Sequence, residues 1–333
     1  MNLLTVAPGV QLHVERRSVE RGNAERGSVE RRSVERGNAE WGSVERRGSG
    51  QPLVLLHGFT GDGSTMQCLA ERLEIDTDVV LLDLVGHGRS SVPDDERAYS
   101  VDAMAAHVAA VGEECASGSM AAHVAAVGEE CASGSMAVNA ASGGEECASG
   151  SFHLVGYSMG GRVALALACR HPDLLRSLTV IGASAGLSTE AERAERRESD
   201  QKLAESIEQD GLEAFVDRWM ANPLFATQAR LGAGFLAASR AQRMRNSAAG
   251  LARSLRAAGT GVMTPLHDDL ESCAVPTVFI VGAQDPKFTR VAVGLAARMP
   301  NAATAVVDDA GHAAHLEQPD AVAAVIRGQM GSA

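Results

Sequence analysis

Lysine is almost missing from this chain: it occurs only at Lys202 and Lys287 in 333 residues. Arginine carries nearly all the positive charge, and 42 acidic against 30 basic residues leave a formal net charge of −12. That balance argues against a nucleic-acid partner, because a phosphate backbone calls for a basic face. No apolar run reaches the length of about 18 residues that crosses a bilayer, so no membrane partner is expected. The amino end, MNLLTVAPGV, lacks a basic stretch leading into an apolar one, and a cytoplasmic protein is the expectation. The six cysteines form no C-x-x-C pair. A metal site built from them with His107 or His123 is therefore not expected.

What is present is enough apolar sequence, 45% of residues, for one large core. Two repeat blocks interrupt it. Residues 18–32 (SVERGNAERGSVERR) recur almost unchanged at 33–47, and removing both leaves an ordinary strand, turn and strand. Residues 104–119 (MAAHVAAVGEECASGS) repeat at 120–135, with a degenerate third copy at 136–151, each copy carrying one cysteine. These units are too short and too few for a solenoid. They read as insertions in surface connections, where added length costs little closure entropy. The first block is charged and poor in apolar residues, which predicts disorder or partial structure. The second predicts a helical MAAHVAAV segment with a flexible GEECASGS tail.

The chemistry is concentrated in four short stretches. Phe152 to Arg162, FHLVGYSMGGR, is an apolar strand running into Gly156-Tyr157-Ser158-Met159-Gly160. This G-x-S-x-G turn holds a serine hydroxyl at the tip of a sharp bend. Leu53 to Phe59, LVLLHGF, ends in a turn that resembles the oxyanion-hole turn of α/β-hydrolases. There the amides of Phe59 and Met159 would face a developing oxyanion. TVFIVGAQD delivers Asp285 at a strand end and TAVVDDAGH delivers His312 after the last strand. The chain order Ser, Asp, His is that of the α/β-hydrolases. Ser158 needs His312 to accept its proton, and Asp285 would fix the imidazole tautomer. His57 and His87, in glycine turns, read as structural residues.

Apolar runs at 53–56, 79–84, 152–157, 177–181, 277–281 and 304–307 alternate with helical periodicity, which predicts a mostly parallel, doubly wound α/β sheet. Between Leu187 and Val262 the strand signals stop. The expected organisation is a hydrolase core at 1–186 and 263–333, with a helical cap at 187–262.

A closer resemblance rests on LHGFTGDG, DLVGHGRS, LVGYSMGGR, the stretches ERAERRESD and LAESIEQDGLEAFVDRWMANPLF, RNSAAGLARSLRAAGTG, VGAQDPKF and DDAGHAAHLEQP. Together these resemble the 2-succinyl-6-hydroxy-2,4-cyclohexadiene-1-carboxylate synthase family of menaquinone biosynthesis over the whole chain outside the repeats. The resemblance implies a lyase that eliminates pyruvate from 2-succinyl-5-enolpyruvyl-6-hydroxy-3-cyclohexene-1-carboxylate, with Ser158, His312 and Asp285 acting as a base. It implies no cofactor, a polycarboxylate small-molecule partner, and a monomer or small homo-oligomer. Tyr157, Arg162, Arg196, Trp219 and Arg245 fall at positions that the family uses around its substrate. Arginine suits that task because its planar fork binds carboxylates bidentately. The competing enzyme reading is a serine-triad carboxylesterase or carbon-carbon bond hydrolase, which has no need of an arginine cluster. A non-catalytic scaffold would lack a triad member, and none is missing.

Overall fold

The computed structural model describes residues 3–17, 51–117 and 151–332. The charged repeat at 18–47 and nearly all of the second and third copies of the other repeat lie outside these residues. Six strands run parallel: β3 (Leu53–Leu56), β4 (Val79–Leu82), β5 (Phe152–Tyr157), β6 (Leu175–Ile181), β7 (Thr277–Gly282) and β8 (Ala302–Val307). A hairpin of β1 (Leu3–Ala7) and β2 (Val10–Arg17) joins antiparallel to β4, giving one eight-stranded sheet in the order β1-β2-β4-β3-β5-β6-β7-β8. β3 and β4 are buried at every residue, which is why they read as unbroken runs of Val and Leu. The apolar runs do not predict β1. Its residues alternate between exposed and half-buried at the sheet edge, and its pairing shifts register between Thr5 and Ala7.

Helices cover both faces. α2 (Val101–Ser117), α3 (Met159–Arg170) and α7 (Pro286–Ala296) pack on one side; α1 (Gln67–Leu73) and α9 (Pro319–Gly331), preceded by the short α8 (Ala314–Glu317), pack on the other. The first copy of the second repeat forms most of α2. Its GEECAS tail, expected to be flexible, continues the helix instead. Cys115 is buried, and a Cβ on Gly112 would lie 2.0 Å from the Phe152 ring, so this glycine lets α2 press against β5.

Between β6 and β7 the chain is helical: α4 (Glu190–Met220), α5 (Gly232–Arg243) and α6 (Ala248–Ala258). A capping box between Thr189 and Glu192 starts α4, and Gly211, with φ 84° and ψ 165°, breaks it into two helices. Ala204, Ile207, Phe215 and Val216 of α4 bury themselves against Leu251, Ala252 and Leu255 of α6 in a small core of their own. No helix among the described residues is long and apolar enough to cross a membrane.

Candidate active site

Ser158 sits between β5 and α3 with φ 51° and ψ −107°, a strained conformation for a residue with a side chain. Its N–H donates to the Ile181 carbonyl at 2.9 Å. The bend is tight because glycine flanks it. A Cβ on Gly156 would lie 2.3 Å from the Gly160 carbonyl oxygen, and one on Gly160 would lie 2.6 Å from that of His57. The sequence motif thus does two jobs: it lets the helix start pass over the strand end, and it presses the Ser158 turn onto the turn after β3.

His312 faces Ser158 across the sheet ends. Its Nε2 lies 3.4 Å from Ser158 Oγ, and its Nδ1 lies 2.9 Å from Asp285 Oδ2. The first distance is long for a hydrogen bond, but it leaves Nε2 within reach of the hydroxyl proton. Asp285 also caps α7, its Oδ1 accepting from the Phe288 N–H at 3.1 Å. Burial alone would raise the Asp285 carboxyl, but the His312 hydrogen bond and the Phe288 amide hold it below its ordinary value, so it is ionised at neutral pH. The Phe288 ring packs on the imidazole at 4.5 Å between centroids. Gly182, at the end of β6 with φ 57°, closes the back of the site. A Cβ there would lie 3.0 Å from the His312 carbonyl oxygen and 3.1 Å from its Cε1. Two further histidines are buried near the site. His57 is fully buried, with Nδ1 2.8 Å from the Gly58 carbonyl and Nε2 accepting from the Leu84 N–H at 2.9 Å. His315 is buried against Tyr157, and burial followed by the His312 charge lowers it to about 3.

A cavity of about 190 Å³ opens over Ser158 and His312, and Phe59, Met159, Tyr157, Arg162, Arg196 and Trp219 all line it. Neither the Phe59 nor the Met159 amide is taken up by a turn or loop bond among the described residues. The Arg162 guanidinium donates to the Ala258 carbonyl; burial, and then the neighbouring Arg196 charge, lower it to about 10, so it stays cationic at neutral pH. Arg196 pairs with Asp200 at 2.8 Å while remaining 46% exposed. Burial raises the Asp200 carboxyl and the two arginines partly offset this. The Trp219 indole Nε1 is buried with no hydrogen-bond partner among the described residues.

Two residues depart from expectation. Arg245 is not brought to this cavity. Its guanidinium binds Asp62 at 2.7 Å and Ser64 at 2.8 Å, over a separate depression that includes His13 and Asp83. Lys287, not singled out from the sequence as a site residue, lines the cavity and has no carboxylate within 4.0 Å among the described residues. Its ammonium lies 5.7 Å from the Phe288 ring centroid. The signal for it was its rarity: of the chain's two lysines, Lys202 pairs with Glu198 on a helix surface and Lys287 lines the same cavity as Ser158.

The profile of the alpha/beta hydrolase family matches residues 53–325. The 2-succinyl-6-hydroxy-2,4-cyclohexadiene-1-carboxylate synthase of Salmonella typhimurium is 32% identical over 286 residues, spanning 84% of this chain and 96% of that one. This chain belongs to that synthase family of alpha/beta hydrolases. The synthase of an Enterobacter strain is 32% identical over 274 residues, covering 82% of this chain and 89% of its own length. Among solved structures, MenH from S. aureus superposes with a TM-score of 0.73 at 29% identity, covering 87% of this chain and 97% of that one. An esterase from Thermogutta terrifontis, at 21% identity and a TM-score of 0.69, shares the fold. The synthase family and the esterases thus have one scaffold in common, and what separates them must lie in the side chains over the serine.

Proposed function

We propose that this protein eliminates pyruvate from 2-succinyl-5-enolpyruvyl-6-hydroxy-3-cyclohexene-1-carboxylate to give 2-succinyl-6-hydroxy-2,4-cyclohexadiene-1-carboxylate, acting in the cytoplasm as a monomer or small homo-oligomer. The observation that carries this reading is the pairing of a Ser158–His312–Asp285 relay with three cations, Arg162, Arg196 and Lys287, around one cavity in a strongly acidic chain. The substrate has three carboxylates. An ester of a small apolar acid would have no use for such a set.

The bond changes follow from comparing substrate and product. Ser158 Oγ removes the ring proton at C2, next to the succinyl ketone, as His312 Nε2 takes the hydroxyl proton. The C2 electron pair forms the C2–C3 double bond, the C3–C4 double bond moves to C4–C5, and the C5–O bond breaks to release the enolate of pyruvate, whose protonation to pyruvate is balanced by loss of the proton from His312 Nε2. Charge that builds on the ketone oxygen is met by the amides of Phe59 and Met159. Asp285 keeps the imidazole proton on Nδ1, so that Nε2 is the basic atom. No acyl-enzyme forms. Arg162, Arg196 and Lys287 hold the carboxylates, Tyr157 and Trp219 shape the walls, and the helical segment 187–262 is a cap that keeps water from the developing charge. Arg245 has no part in the binding set.

The test is pyruvate release from freshly prepared substrate, compared between the wild-type protein and Ser158→Ala. Release that Ser158→Ala abolishes supports the synthase. Background release together with Ser158-dependent cleavage of simple esters would overturn it in favour of a hydrolase.

A further inference from the structure

Phe59 stands at the tip of a turn whose two limbs are tied down differently. On the near side, the His57 carbonyl accepts from the Gly160 N–H at 3.1 Å and the His57 ring from the Leu84 N–H, so this limb is fastened to the sheet and the Ser158 turn. On the far side, the Gly61 N–H closes the turn onto the Gly58 carbonyl at 2.9 Å. Thr60, the third residue of that turn, has φ 68°. A positive φ there is the mark of a type II turn, which favours glycine, and a β-branched residue adopts it only when its surroundings hold it.

The junction between α5 and α6 does the holding. The fully buried Thr60 offers its carbonyl to two side-chain amides, Asn246 Nδ2 at 2.9 Å and Gln242 Nε2 at 3.2 Å. Asn246 Nδ2 also reaches the Arg243 carbonyl at 3.1 Å, and its Oδ1 accepts from the Gly88 N–H at 3.0 Å. Both Asn246 and Gln242 are buried. Arg245, next in sequence, fastens Asp62 and Ser64 just past the same turn. None of these junction residues lines the cavity.

We propose that Asn246, seconded by Gln242, is a positioning residue for the oxyanion turn: it grips the Thr60 carbonyl, keeps Thr60 at positive φ, and thereby holds the Phe59 amide where charge develops. This rests on the reading of Phe59 as an oxyanion donor. Without the grip, Thr60 relaxes from its unfavourable conformation and the turn rocks on its near limb, carrying the amide away. A displacement of about 1 Å at such a group costs on the order of 100-fold in rate.

The experiment compares kcat and KM for pyruvate release from the cyclohexene substrate, and for Ser158-dependent hydrolysis of p-nitrophenyl acetate, in wild type, Asn246→Ala and Asn246→Asp. The second variant keeps the shape and the acceptor for Gly88 but loses the donors to Thr60, so it serves if the first does not fold. The expected result is a fall in kcat of roughly 10- to 100-fold with KM changed by less than about twofold. Adding Thr60→Gly to either variant should return a large part of the loss, since glycine holds positive φ unaided. A variant that folds and keeps kcat within about twofold of wild type, or a loss that Thr60→Gly leaves untouched, overturns the proposal. Wild type that cleaves only the ester would refute the synthase reading while leaving the Asn246 comparison readable on the ester.

Discussion

Ser158, Asp285 and His312 follow the ends of β5, β7 and β8 by one, three and five residues, and are fixed by contacts to the Ile181 carbonyl, the Phe288 amide and the Gly182 turn. The cations over the same cavity come instead on long side chains from three helices, Arg162 from α3, Arg196 from α4 and Lys287 from α7. The first group needs the placement of a few tenths of an ångström that reaction demands. In the proposed reaction the second would meet carboxylates whose reach it can follow. On that reading reactivity is written into the sheet and selectivity into the helices, so that one scaffold can accommodate a lyase and esterases.

The contrast predicts steep losses at the sheet ends. Asp285→Asn keeps the cap on α7 but presents a donor to His312 and favours the wrong tautomer, and kcat should fall about 10⁴-fold. Single-turnover pyruvate release would read this directly. Gly182→Ala adds a methyl at positive φ, within 3.2 Å of His312 Nδ1. A loss of roughly 100-fold in kcat with little change in KM is expected from such a misplacement.

A third test concerns stability rather than rate. Burial alone would raise the Asp83 carboxyl, but His13 at 3.3 Å and the amides of Gly63 and Arg89 hold it down to about 2. Because the folded value lies below the unfolded one, its contribution of about 2 kcal/mol is present above pH 4 and is lost as pH falls toward 2. Asp83→Asn should lower the urea-derived stability by about that amount at pH 7, and the gap should close across that acid window. The smallest effect belongs to the helices. Arg196→Gln or Lys287→Met should each raise KM by about tenfold, the worth of one charged hydrogen bond, with kcat nearly intact. A collapse of kcat in either variant would mean that these cations act on the transition state, and the division between sheet and helices would fail.

The sequence made the sheet ends legible because each depends on near neighbours: the glycines around Ser158, the apolar run before Asp285, the turn before His312. The helices were legible as helices, since their periodicity is local too. Where their side chains go was not. Arg245 and Arg196 look alike in sequence, yet the first turns to Asp62, 183 residues away, and the second to the cavity beside Asp200, four residues on. β1, LLTVA, escaped although only Thr5 interrupts its apolar residues, because it belongs to an amino-terminal hairpin outside the alternation of strands and helices, and the grip of Asn246 on Thr60 escaped because it spans 186 positions.

Each candidate reacting group follows the carboxyl end of a strand: Phe59 after β3, Ser158 after β5, Asp285 after β7, His312 after β8. The charged repeat and the further copies of the other one are joined to the described chain at the opposite edge, after Arg17 and before β3, and after Ser117 and before β5. The six residues of β5 alone put about 20 Å between that edge and the serine. One rim of this protein is thus a drafting margin, where a gene can stutter at a distance from the residues around Ser158. It is also the rim at which a reporter or a second domain could be spliced in.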